Sequence, residues 1–143
     1  MRKQRGKPGA PEVLYGRNPV REALRAGRRR VHRVWATSGA AREPWLAGVD
    51  VAVVGPEEVS ARCGSDAHQG VCAEADPYPY AAAAELLAGE SPLLVALDEV
   101  QDPQNLGAIA RTAEGAGARG LVVPERRSAD VTPAAAKASS GAV

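Results

Sequence analysis

The stretch that most restricts what this chain can fold into is residues 93–124, LLVALDEVQDPQNLGAIARTAEGAGARGLVVP. Leu93 to Leu97 is an unbroken apolar run, the pattern of a strand buried on both faces. The polar loop Asp98–Gln104 follows, and Asn105 can cap a helix with Pro103 just outside it. Within that helix Leu106, Ile109, Ala110 and Ala113 fall at i, i+3, i+4 and i+7, on one face. Gly115 and Gly117 end it, and Leu121–Val123 starts a second apolar run. This is a strand–helix–strand unit, and connections this short predict a right-handed parallel crossover.

In an open parallel sheet, ligands sit beyond the carboxyl ends of the strands. That edge carries Asp98, Glu99, Asp102, Gln104 and Asn105. Arg111 lies about 140° around the helix from Leu106, at roughly 100° per residue, and so faces away from the core. Spacing leaves two readings open. Arg111 is a solvated arginine paired with an acid such as Glu114 at i+3, or it is a guanidinium aimed at a phosphate or ribose, with Asn105 at the positive end of the helix.

The segment Asp102-Pro103-Gln104-Asn105-Leu106-Gly107-Ala108-Ile109-Ala110-Arg111-Thr112-Ala113-Glu114 resembles the first motif of the SpoU/TrmH family of RNA ribose 2′-O-methyltransferases. Gly115–Ala118 and the apolar Leu121–Val123 continue the match. Tyr15-Gly16-Arg17-Asn18-Pro19-Val20-Arg21-Glu22-Ala23-Leu24 resembles the start of that family's amino-terminal substrate-binding domain, and His68-Gln69-Gly70-Val71 resembles its end. Three matches in the right order are more specific than any one. The nearest resemblance is to the branch that modifies a guanosine of 23S ribosomal RNA.

Composition agrees with an α/β protein that handles a polyanion. The chain is 45% hydrophobic but only 3% aromatic with no Phe, so its core is built from Val, Leu and Ala. The net charge of +1 hides an asymmetry: residues 1–30 hold ten Lys or Arg and two Glu, a charge of +8, against −7 for the remainder. Cys63 and Cys72 form no C-x-x-C pair and there are two His, so no metal site is expected and the thiols read as reduced. No apolar run reaches the roughly 18 residues of a membrane span, and the basic start has no apolar segment after it. A cytoplasmic protein is expected.

Residues 1–11 read as a disordered basic arm, either a solvated tail or a phosphate-binding one. Val13–Tyr15 reads as a short strand, and Asn18 as the cap of a helix with Pro19 at its first position. That helix turns Val20, Ala23 and Leu24 inward, ends at Gly27, and presents Arg17, Arg21 and Arg25 outward. With Arg28-Arg29-Arg30 they form either a solubilising face or a surface for an RNA backbone. Val31–Thr37 and Val49–Val54 read as strands, and Gly55–Gly64 as a helix with its ends. His68 and Gln69 stand in a loop, either structural or touching RNA. Residues 77–91 read as a linker in which Tyr78 and Tyr80 either stack on bases or flank a plain hinge. Gly115-Ala116-Gly117-Ala118-Arg119-Gly120 spells G-x-G-x-x-G but leaves a helix and enters a strand, the reverse of a dinucleotide fingerprint. An oxidoreductase reading therefore has little support.

The resemblance implies an L30e-like substrate-binding domain at 12–76, then at 92–143 the first part of a doubly wound parallel-sheet domain with a deep trefoil knot, a rare exception to unknotted chains. It implies S-adenosylmethionine as methyl donor, bound by two later motifs that this sequence lacks, so no cofactor-binding residue is expected within 1–143 and the chain reads as a truncated form, inactive alone. Carried onto this sequence, Asn105, Arg111 and Glu114 are the catalytic residues, and Arg17, Asn18, Arg21, Arg28, Arg29, Arg30, His68 and Gln69 are the RNA-binding ones. The expected partners are ribosomal RNA and, at full length, a second copy. A non-catalytic RNA-binding module is the alternative.

Overall fold

A computed structural model describes residues 9–124, 127–139 and 141–142. Most of the predicted basic arm lies outside the described residues. The element order is β1 (Glu12–Tyr15), α1 (Arg17–Ala26), β2 (Val31–Ala36), β3 (Val51–Val53), α2 (Pro56–Cys63), β4 (Val71–Ala75), α3 (Ala83–Leu87), β5 (Leu94–Ala96), α4 (Pro103–Gly115), β6 (Gly120–Val122) and α5 (Pro133–Ala138). Two short 3-10 turns, Ala40–Arg42 and Pro44–Leu46, lead from β2 towards β3.

The first sheet has the order β1-β4-β2-β3. β4 runs antiparallel to both neighbours, and β2 pairs parallel to β3. Its two faces follow from the period-two alternation of β4. Val71, Ala73 and Ala75 join Leu14, Val20, Val34 and Ala36 in one core with α1. Cys72 faces the other way, into a cluster with Trp35 and Val59 under α2. With no Phe to fill the interior, small residues bring the layers close.

The second sheet pairs β5 with β6 in parallel, Leu94 opposite Gly120 and Ala96 opposite Val122, as the strand–helix–strand reading requires. It comprises two strands among the described residues. Its core gathers Leu106, Ala129, Val131 and Ala135, with Leu97, Leu121 and Val123 packed against them. The glycines of the false fingerprint end α4: Gly117 adopts φ 79°, its N–H bonds the Glu114 carbonyl, and the Ala118 N–H bonds the Ala113 carbonyl. That is a Schellman ending.

Both helix starts differ from the sequence reading. α4 is capped by Asp102, whose carboxylate accepts from the Gln104 and Asn105 N–H groups at 3.4 and 3.1 Å. Pro103 then occupies the first helical position, where its missing N–H costs nothing, and Asn105 stands inside the helix. The cap of α1 lies two residues before the predicted one. Gly16, at φ 96°, makes the turn, and its carbonyl accepts from the Val20 N–H; Asn18 and Pro19 stand inside the first turn.

Segment 77–91 is more than a plain hinge. The Tyr80 hydroxyl accepts from the Val131 N–H at 2.9 Å, and its ring meets that of Tyr78 edge-on at 5.1 Å. Burial raises the Tyr80 phenol above its ordinary pKa. Tyr78 packs on the second core while the Arg29 guanidinium lies over its ring at 5.7 Å. Tyr78 is held against the second core, whereas the Tyr80 ring stays 55% exposed with its hydroxyl engaged. α5 also ties the layers together, with Ala135 in the second core and Ala136 in the first.

Candidate functional site

The residues singled out from sequence fall into two groups. On α4, Asn105, Arg111 and Glu114 are all exposed. Among the described residues Arg111 makes no ion pair, so the expected partnership with Glu114 is not formed. Helical geometry separates the three. Arg111 and Glu114 are about 60° apart around the axis, but Asn105 is about 120° from Arg111 on the far side and roughly 9 Å away along it. Asn105 therefore does not hold Arg111 in place. Arg111 and Glu114 share one side of the helix, and Asn105 serves a neighbouring position at its amino end.

In the basic group, Arg28 and Arg30 are exposed. Arg17 pairs with Glu43 at 2.8 Å, and Arg21 with Glu22 at 3.4 Å, both at the surface where such pairs add little. Arg29 does not belong to an RNA-facing surface. Its side chain is 8% exposed, bonds Glu12 at 3.4 Å and reaches the Asp76 carbonyl. Burial lowers its pKa, with Glu12 opposing that shift. This arginine is structural. Asn18, half-buried in the first turn of α1, makes no side-chain cap.

His68 is buried too. The Gly70 N–H donates to its Nδ1 at 2.8 Å, so the ring proton sits on Nε2 and is directed at Ser60 Oγ, 3.0 Å away. That polarity also excludes a serine nucleophile, because His68 has no free nitrogen to accept the Ser60 proton. The reason for the motif lies in the backbone. Gln69 and Gly70 have φ of 54° and 81°, and the Val71 N–H bonds the His68 carbonyl, which makes a type I′ turn. Gln69 points its side chain at the protein: Oε1 accepts from the Arg17 N–H at 3.1 Å and from Lys137 Nζ at 2.7 Å. It caps α1 from across the chain and joins it to α5. Sequence reasoning missed this bridge, whose only signal was the absence of a capping side chain at Gly16.

Between α1 and the α4–β6 unit lies a cleft of about 350 Å³. Arg28, Arg29, Arg119, Glu22 and Glu114 line it, with Tyr78 and several alanines as its apolar wall. A second depression, on a neighbouring face of α4, is lined by Val95, Ala108, Ile109, Thr112, Ala113 and Ala116. Leu93 and Val122 are also exposed, 51% and 42%. Neither concavity fits S-adenosylmethionine. The cleft presents three guanidiniums to a cationic sulfonium, and the second site has one hydroxyl to satisfy an amino-acid head, a ribose and an adenine edge. No group of three or more metal-ligating side chains occurs among the described residues, and no helix there is long and apolar enough to cross a membrane.

Comparisons with known proteins agree with the sequence resemblance. A family model described as RNA 2′-O ribose methyltransferase substrate binding matches residues 13–81, and one described as the SpoU rRNA methylase family matches 92–143. An uncharacterized tRNA/rRNA methyltransferase of Mycobacterium avium (strain 104) is 39% identical over 143 residues, covering 92% of this chain and 46% of that protein. One from Mycobacterium ulcerans (strain Agy99) is 37% identical over 153 residues, covering 99% and 49%. Among solved structures, the AdoMet-bound rRNA methyltransferase from Sinorhizobium meliloti superposes with a TM-score of 0.70 at 27% identity, over 92% of this chain and 51% of that one. The SpoU methyltransferase AviRb from Streptomyces viridochromogenes, in complex with AdoMet, shares the fold with a TM-score of 0.72 at 24% identity, over 93% and 52%. The chain spans about half the length of the curated relatives it matches.

Proposed function

The chain belongs to the SpoU family of RNA methyltransferases, and from that premise we propose that its protein transfers a methyl group from S-adenosylmethionine to a ribose 2′-hydroxyl of ribosomal RNA. The specific target, following the resemblance of 15–24, 68–71 and 102–114, is a guanosine of 23S ribosomal RNA. Residues 12–76 form the substrate-binding part and 92–143 the first part of the catalytic domain, tied by 77–91. The cofactor fits neither concavity of the described residues, and its site lies elsewhere in the protein. The protein works in the cytoplasm as a homodimer, which covers the apolar face around Val95, Ile109 and Val122.

One observation carries the reading: Arg111 stands exposed and without an ion pair among the described residues, on the helix that follows the carboxyl end of β5. A guanidinium offers five N–H donors and no acceptor, so Arg111 takes no part as a base. Its role is electrostatic. It orients the ribose hydroxyl and stabilises the negative charge that develops on that oxygen as the hydroxyl proton passes to solvent water. Glu114, on the same side of α4, orients the substrate beside it. Asn105 contacts the RNA at the amino end of the helix. S-adenosylmethionine supplies an electrophilic methyl group, and none of the residues described here holds it.

The test is methyl transfer by the full-length protein to 23S ribosomal RNA. Arg111→Ala lowers turnover by roughly 10²–10³-fold, the effect of removing one stabilising donor, with an unchanged melting temperature. Turnover equal to that of the wild type sinks the assignment. A full-length protein that binds RNA but takes up no S-adenosylmethionine is instead a non-catalytic RNA-binding module.

A further inference from the structure

The cleft between the two layers carries a feature that the catalytic reading leaves unused. Of the three arginines lining it, Arg29 is committed to Glu12 and the Asp76 carbonyl. Arg28 and Arg119 are not. Both are exposed, and neither makes an ion pair among the described residues, whereas Arg17, Arg21, Arg25, Arg29, Arg62 and Arg127 all do. They come from different layers. Arg28 follows α1, and Arg119 leads into β6.

Arg119 is held for this position. Its N–H bonds the Leu93 carbonyl at 2.8 Å, which fixes the start of the strand. Its guanidinium lies against Gly89, where a Cβ would stand 2.8 Å from Nη1. The bare backbone of Gly89, at φ 113°, makes room for the side chain. Of the two acids in the cleft, Glu22 is already shared between Arg21 and Arg25. Glu114 marks the α4 wall, next to the proposed catalytic side of that helix.

We propose that this cleft binds a phosphodiester of the RNA chain between Arg28 and Arg119, so that one strand of substrate bridges the substrate-binding layer and the catalytic layer. The inference rests on the RNA-directed reading above. The chemistry is that of forked guanidinium donors on phosphate oxygens. Two unpaired cations on opposing walls fit one bridging anion better than they fit each other. Arg30, two residues on from Arg28, is exposed as well and makes no ion pair among the described residues, a further cation that a polymer can use and a free phosphate cannot. Phosphate contacts set register and orientation without reading sequence. In this position they deliver the strand to Arg111.

The experiment measures binding of a 23S ribosomal RNA fragment to the full-length protein across a salt series. Variants are Arg28→Ala, Arg119→Ala, the double variant, and Arg42→Ala as an exposed arginine outside the cleft. One neutralised phosphate contributes about 0.7–0.9 to the slope of log K against log salt. The expected result is loss of that contribution in the double variant, a smaller loss in each single cleft variant, and none in Arg42→Ala. Arg119→Lys retains most of the slope and guards against misfolding as the cause. Wild-type affinity and slope in the double variant overturn the inference and leave the methyltransferase reading standing. Absence of salt-dependent RNA binding in the wild type overturns both. Competition with inorganic phosphate and with guanosine monophosphate at matched ionic strength separates the sources of the anion. Displacement by either at concentrations comparable to RNA phosphate assigns the cleft to a free anion and overturns the strand path.

Discussion

Replacing Gly107 by Ala tests how closely α4 and α5 must approach. A methyl group there would stand 2.6 Å from Ala138 Cβ and 2.8 Å from the Ser139 nitrogen, with the Ala135 carbonyl oxygen closer still. Carbon–carbon contacts settle at about 3.5–4.0 Å, so the helices would have to part by roughly 1 Å. The opposing atoms are backbone or a short methyl and cannot swing aside. Parting them opens the core around Leu106, Ala135 and Ser139, which are at most 1% exposed. Overpacking costs about 1–3 kcal/mol, and contact with backbone places this site at the upper end. The better helix propensity of alanine returns about 1 kcal/mol. The net loss is about 2 kcal/mol. At roughly 2–4 °C per kcal/mol for a protein of this size or somewhat larger, melting falls by about 4–8 °C. Gly115→Ala on the same helix is the control: nothing lies within 4 Å of its Cβ, and the same substitution there is neutral or gains a few tenths of a kcal/mol. Urea denaturation of both variants checks the sign. A Gly107→Ala protein at least as stable as the wild type refutes the close-packing argument.

Three other expectations follow from the geometry. Asp102→Ala removes the cap of α4 and costs about 1 kcal/mol in urea unfolding, while Asp102→Asn keeps most of it. Gln69→Ala and Lys137→Met each cost about 0.5–1.5 kcal/mol; a double-mutant cycle shows coupling between them, and a coupling energy of zero contradicts the bridge. Desolvation, with a smaller contribution from Cys63, pushes the Cys72 thiol up to about 11 from its ordinary value of 9.0. Between those values the unfolded chain has released a proton that the folded one keeps, so stability falls as pH rises through that window and is unaffected below it. Unfolding free energies at pH 8 and 10.5 should diverge for the wild type and less so for Cys72→Ala.

The strand–helix–strand unit was legible because its periodicity is local: an apolar run, a 3.6-residue stripe and two glycines identify β5, α4 and the turn without any distant contact, although β5 is only partly buried and Leu93 is 51% exposed rather than covered on both faces. The left-handed ends at Gly27 and Gly64 were legible for the same reason. The starts of α1 and α4 were not. Asp102 and Asn105 are both good capping residues, and only the direction of the Asp102 carboxylate distinguishes them. At α1 the capping oxygen comes from Gln69, fifty-two residues away, which no local pattern encodes.

The candidate site divides in the same manner. Asn105, Arg111 and Glu114 could be named from a motif, and helical geometry already spreads them around α4. The roles of Arg29, His68 and Gln69 could not be read, since an arginine in a basic run and a histidine in a loop look solvent-facing in one dimension. Sequence alone determined the α/β class, the family and the helix that carries the candidate catalytic residues, because those depend on residue type and spacing. Tertiary structure decided which charges are already neutralised by a partner within the chain and which are not. That outcome depends on the distances between side chains from different elements, and packing sets those distances.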